Sequence, residues 1–183
     1  MTTQDASAKL VEAHRAYRDG DLDRASSLTD TLCADHPQWA APIHLAGMVA
    51  RKAGDLSRAE DLMRRSLEMP GSSALERAEY ANNLGNLLHS AGFTLAAQAA
   101  YRLAIDGCNL PEARIGLART LLETLRADEA LTALDGLPAA DAGRAAAVLL
   151  RSETLAATGE PQRALEALAA AGEAVRERPV FWL

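Results

Sequence analysis

Small and apolar side chains recur along this chain at the spacing of one helix face, but the runs they form are short. Gly or Pro interrupts the sequence every fifteen to twenty residues. That limits each helix to a few turns and argues against one long coiled coil. The interruptions are themselves periodic. Gly20, Gly54, Gly92 and Gly159 each stand five residues before an alanine, at Ala25, Ala59, Ala97 and Ala164. Ala130 continues the series with Leu125 in the glycine's place, and the alanine spacings are 34, 38, 33 and 34.

Other columns keep the same frame. Twelve residues before each alanine stands Ala13, Gly47, Gly85, Ala118 or Ser152; four after it stands Thr29, Met63, Tyr101, Leu134 or Leu168. Pro37, Pro70, Pro111, Pro138 and Pro179 punctuate the units. A small residue on the first helix of a pair lets the second approach, the alanine on the second does the same, and the bulkier residue one turn later fills the space between pairs. Composition agrees with this reading. The chain has 40 Ala and 28 Leu in 183 residues against eight Val and Ile, so an all-α fold is expected and a sheet is not.

These columns resemble the tetratricopeptide repeat family, whose unit is a helix–turn–helix with a Leu-Gly pair, an alanine and a closing proline. The clearest copy runs from Asn83-Leu84-Gly85 through Ala97 and Tyr101 to Ala104. The resemblance implies a right-handed superhelical solenoid of about five repeats, at about 6–39, 40–73, 74–110, 111–143 and 145–178. The long spacing places four extra residues after Pro70-Gly71-Ser72-Ser73, and the Ser73/Glu76 pair has capping-box spacing, which predicts one extra helical turn opening the third unit. Asp21 is expected to cap the second helix. Residues 179–183 would open a sixth unit, with Trp182 at the family's tryptophan position, or fold back as a capping tail. Because repeat arrays need polar caps, the chain is expected to be a fragment of a longer protein, and its uncapped end offers a route to self-association.

In the family, residues flanking the small position of the first helix point into a concave groove. Matched unit by unit, this places Leu10, His14, Tyr17 and Arg18 there, then His44, Met48, Arg51 and Lys52. The third unit adds Asn82, Asn83, Asn86 and His89, the fourth Arg119, Leu122 and Glu123, and the fifth Leu149, Glu153 and Ala156. Asparagine is a poor helix-interior residue, so three in Asn82-Asn83-Leu84-Gly85-Asn86 call for a role. An amide can pair with the backbone of an extended peptide whatever its sequence. This segment is similar to the repeats of O-linked N-acetylglucosamine transferases, where groove asparagines hold extended polypeptide. Arg18, Arg51 and Lys52 would make one end of the groove basic, and Glu123 with Glu153 the other acidic, orienting a segment with one acidic end. The lysine and asparagine clamp of chaperone-tail binders is not reproduced, since Leu10, His14, His44 and Met48 occupy the matching places.

The remaining chemistry is sparse. A net charge of −6, with no basic run longer than two residues, gives no field for nucleic acid or an anionic membrane. The longest apolar run, Ala145 to Leu150, is too short to span a bilayer, and a cytoplasmic setting is expected. No GxxxxGK, GxGxxG, GxSxG or HExxH stretch occurs, so neither catalysis nor a cofactor is expected. His14, His44 and His89 sit at different heights on successive units, which suits groove lining better than a metal site. Cys33 and Cys108 are read as small buried fillers. The expected function is a protein–protein interaction scaffold holding an extended peptide or a partner helix. The alternative is the substrate-recruiting or dimerising arm of a bacterial modifying enzyme (a glycosyltransferase, sulfotransferase or oxygenase) whose catalytic domain lies beyond Leu183.

Overall fold

The computed structural model describes residues 3–142 and 144–177, with side chains from residue 4 to residue 170. Among these there are eleven helices: α1 (Thr3–Asp19), α2 (Leu22–Asp35), α3 (Ala40–Lys52), α4 (Leu56–Glu68), α5 (Ala74–Ser90), α6 (Thr94–Cys108), α7 (Pro111–Glu123), α8 (Ala127–Asp135), the single turn α9 (Ala139–Ala142), α10 (Ala145–Ala157) and α11 (Pro161–Glu177). Each long helix packs on the next along the chain, and α10 packs on both α7 and α8. The result is five stacked hairpins, α1/α2, α3/α4, α5/α6, α7/α8 and α10/α11, in which first helices also meet their successors, as α1 meets α3 and α5 meets α7. Contacts confined to near neighbours make a solenoid with one shared core running along it. No described helix is long and apolar enough to cross a membrane.

The columns are the core. Ala25, Ala59, Ala97 and Ala130 are fully buried and Ala164 nearly so. Gly47 shows why the first-helix column is small: a Cβ there would stand 2.9 Å from Met63 Cγ and 3.2 Å from the Ala59 carbonyl oxygen. Thr29, Met63, Tyr101 and Leu134 are buried between hairpins, whereas Leu168, on the last described hairpin, is 38% exposed. The Thr29 hydroxyl satisfies itself on the Ala25 carbonyl at 3.0 Å, so a polar side chain fits that apolar seam.

The helix starts follow local chemistry. Asp21 accepts from the Arg24 amide and Asp55 from that of Arg58, at 3.1 and 3.0 Å. At α5 the capping box is complete: the Glu76 amide donates to Ser73 Oγ and the Ser73 amide to Glu76 Oε2. The Ser73 amide and hydroxyl, both donating to Glu76 Oε2, hold the Glu76 carboxyl below its ordinary value, and α5 runs for 17 residues against 13 in α3. Cys108 corrects the buried-filler reading. It is exposed, because it ends α6 where Asn109 turns the chain away at φ 49°, and Cys33 is only half-buried. The expected opening of a sixth unit at 179–183 lies outside the described residues.

The fourth hairpin turns without a glycine. Gly20, Gly54, Gly92 and Gly159 take φ between 83° and 88°, and Leu125 takes 59° at the equivalent place while 92% exposed. An L side chain there costs about 1–2 kcal/mol and Leu125 gains no burial in return. Glycine's larger unfolded-state entropy offsets about 0.4–1 kcal/mol of the relief. Leu125→Gly is therefore expected to stabilise the chain by about 0.5–1 kcal/mol, read as a higher urea midpoint. A midpoint at or below wild type would contradict the strain.

Candidate functional site

The face formed by the first helices is organised around a side chain from a second helix. Tyr101, on α6, lies between Gly85 of α5 and Gly116 of α7; a Cβ on either glycine would stand 2.6 Å from its Cε1. Through this notch the hydroxyl reaches Asn86 and donates to Oδ1 at 2.9 Å. Burial pushes that hydroxyl up to about 12, with Arg119 and Arg51 pulling the other way and Glu123 adding to it. The sequence reading gave Tyr101 only a packing role. Gly116, a second small residue two before Ala118, was the readable sign that something passes between α5 and α7.

His44 is the second focus, and the structure corrects its reading as an open groove residue. It is 4% exposed, stacked on Tyr80 with ring centroids 4.1 Å apart. Its Nε2 lies 3.0 Å from Asn83 Nδ2 and its Nδ1 3.4 Å from Ser66 Oγ. The Asn83 amide nitrogen can only donate, so Nε2 accepts and Nδ1 carries the proton toward Ser66. Burial, helped by nearby His14, lowers its pKa to about 4, leaving a neutral ring clamped between α4 and α5. Asn83 is therefore spent on joining the second and third hairpins. Asn82 is 9% exposed, and its Oδ1 has no hydrogen-bond partner among the described residues.

The other expected residues divide by what holds them. Lys52 donates to the Tyr17 carbonyl at 3.0 Å and covers the Tyr17 ring at 4.8 Å. His89 Nε2 donates to Glu123, 2.9 Å away. Met48 is half-buried against the core. His14 is exposed and its pKa is lowered by partial burial and then by Arg18. Arg18, Arg51, Arg119 and Glu153 are exposed and enter no ion pair among the described residues. Arg119, Leu122, Glu123, Leu149 and Glu153 come together, with Ala146 and Leu150, around a cleft of about 520 Å³ between α7 and α10. The three histidines do not share a site: His44 has both nitrogens engaged in protein contacts, and His89 sits on Glu123.

No protein-family model matches the sequence, and no curated protein matches it. Solved structures do. The crystal structure of the MamA protein superposes over all of this chain and 98% of its own, with a TM-score of 0.80 at 16% identity. YrrB, described as a TPR protein with an unusual peptide-binding site, gives 0.73 at 22% identity over 93% of this chain and 86% of its own. The nearly identical TPR-like repeats of a Podosopora anserina kinesin light chain give 0.73 at 17% identity, over 94% and 96%. At such identities the likeness is one of architecture, and it agrees with the columns and the stacked hairpins: the chain folds as a right-handed, all-α tetratricopeptide-repeat solenoid.

Proposed function

We propose that this chain is a protein–protein interaction scaffold, without catalysis of its own, that holds an extended peptide or a partner helix along the concave face made by its first helices. The observation that carries the reading is the α7–α10 cleft. Five residues that sequence matching assigned to the groove of two separate repeats line one space of about 520 Å³, large enough for several side chains of a bound segment. Leu149 is 56% exposed at its rim, an apolar contact beside the charged Arg119 and Glu153. That mix of one apolar anchor with oriented polar groups suits peptide recognition. YrrB, of the same fold, is described as a TPR protein with an unusual peptide-binding site, which supports a peptide partner here.

The contacts are drawn from the groove residues that remain accessible: His14, Arg18, Met48, Arg51, Asn86, Arg119, Leu149 and Glu153. Asn83 and His44 act behind them, fixing how one hairpin sits on the next. The cleanest variants are therefore exposed side chains. A Leu149→Glu, Glu153→Arg protein is expected to recover at least tenfold less of its partners from a lysate, with an unchanged melting curve. Leu95→Glu, on the second helix α6 and 72% exposed in wild type, serves as the control and keeps them. Equal recovery by all three proteins would reject the groove as the binding face.

A further inference from the structure

We propose that the outer face of α6 is a homodimer interface. Two copies cross α6 on α6 about a two-fold axis at Ala99, and Leu95 of each enters the apolar cleft beside Leu103 of the other. The repeat columns single this helix out. Two residues before its column alanine, Leu95 stands where the other units carry Asp23, Ser57, Asp128 and Gln162. Two after it, Ala99 replaces Ser27, Asp61, Thr132 and Glu166, and six after it no other unit has a large apolar residue to match Leu103. The three keep one outward stripe at i, i+4 and i+8. All are exposed, Leu95 at 72% and Leu103 at 48%. The stack has no use for them in its own core, and an exposed apolar patch of this kind marks an interaction surface.

The neighbouring column opens a cleft beside the stripe. Ala96 stands where Arg58 and Glu129 tie adjacent second helices together, Arg58 to Asp30 of α2 at 3.0 Å and Glu129 to Arg102 of α6 at 4.0 Å. No ion pair joins α4 to α6 among the described residues. A cleft of about 440 Å³ lies there instead, lined by Leu84 and Leu88 of α5 and by Leu67, Ala96, Ala99 and Leu103. An adjoining cleft of about 330 Å³ shares Leu67, Arg77 and Leu103 and continues to Gly107. A protruding leucine and an apolar recess thus lie on one surface. An isologous contact requires this, because each copy must supply both. Leu95 and Leu103 are each four residues from Ala99, about 6 Å along the helix. An antiparallel crossing centred there sets the protruding Leu95 of one copy opposite the recessed Leu103 of the other, twice. Alanine at the crossing lets the helix axes approach to about 8–10 Å. Arg64 and Arg77 line the clefts together with Glu68 and Asp106. Two charges of each sign leave the patch neutral on a chain of net charge −6, so a second copy is not repelled there. The contact uses a second helix and leaves the first-helix face of each copy uncovered.

Sedimentation equilibrium over a micromolar concentration series tests the pairing, in wild type and in Leu95→Glu, Leu103→Glu. Both leucines are exposed, so the variant is expected to melt like wild type. Wild type is expected to reach twice the mass of the chain. The variant is expected to raise the dimer Kd by at least about a hundredfold, as for the loss of a central hot spot on both sides. Crosslinking tests the geometry, and does so even where the glutamate variant fails to fold. In a Cys33→Ser, Cys108→Ser background, Ala99→Cys is expected to form an intermolecular disulfide under mild oxidation, since the axis brings residue 99 of the two copies together. Ser27→Cys, at the matching place on α2, is expected to remain uncrosslinked. A monomeric wild type, which leaves the face to a different protein, would overturn the proposal. So would a dimer that survives the leucine changes, or one in which Ala99→Cys crosslinks no faster than Ser27→Cys, as contact through another surface predicts.

Discussion

Tyr101→Ala is expected to cost about 3–5 kcal/mol of unfolding free energy, the range for deleting a buried aromatic side chain. Few positions in the described structure join so much. The ring is 1% exposed and fills the space between the facing glycines of two successive first helices, so its loss opens a cavity across a hairpin junction. A solenoid has no distant contacts to compensate for a broken junction. Urea unfolding of the variant is therefore expected to lose cooperativity as well as stability, with separate transitions for the segments on either side. Tyr101→Phe keeps the ring and loses only the bond to Asn86, so about 1 kcal/mol is expected there. A Tyr101→Ala protein that unfolds in a single transition within 1 kcal/mol of wild type would show that the junction is not held by this ring.

Acid should weaken the chain through His44. Its folded-state pKa is lowered from 6.5 to about 4, chiefly by burial. In the unfolded chain the ring takes up its proton near its ordinary value, so the unfolded state binds protons first as the pH falls. Stability is then full above about pH 7, declines through the window between 6.5 and 4, and levels off below it. Over the whole window the loss is about 3 kcal/mol, of which about 2 kcal/mol is gone at pH 5. The comparison is wild type against His44→Gln, by urea unfolding at pH 7.5 and pH 5. The variant starts less stable, having lost the Tyr80 stack, and is expected to lose about 2 kcal/mol less between the two pH values. Parallel losses in the two proteins would mean that His44 is not held neutral. His14 is present in both, so its own lowered pKa cancels from the comparison.

The fold was legible because each column admits one packing solution. An alanine every 33 to 38 residues, with a small residue twelve before it, describes two helices crossing closely, and the five alanines are the buried crossing points. The caps were equally local: Asp21 and the Ser73/Glu76 pair act within their own first turn. The site was less legible because its bonds connect different helices. Asn83 and His44 are 39 residues apart, and Asn86 and Tyr101 belong to opposite helices of a hairpin. Periodicity places a residue on a face without naming its partner. It put His44 in the groove, and Tyr80, three residues before Asn83 on the same helix, covers it. It treated Lys52 and Arg51 alike, although one is tied to Tyr17 and the other is not.

Nuclear magnetic resonance mapping of a library-selected peptide onto the labelled chain addresses the binding face itself. The expected shifts fall on the backbone amides around His14, Met48, Asn86, Arg119 and Leu149, along α1, α3, α5, α7 and α10, with the second helices unmoved. Shifts gathered instead around Leu95 and Leu103 of α6, both exposed on the other helix of the third hairpin, would contradict a scaffold that binds through its first helices.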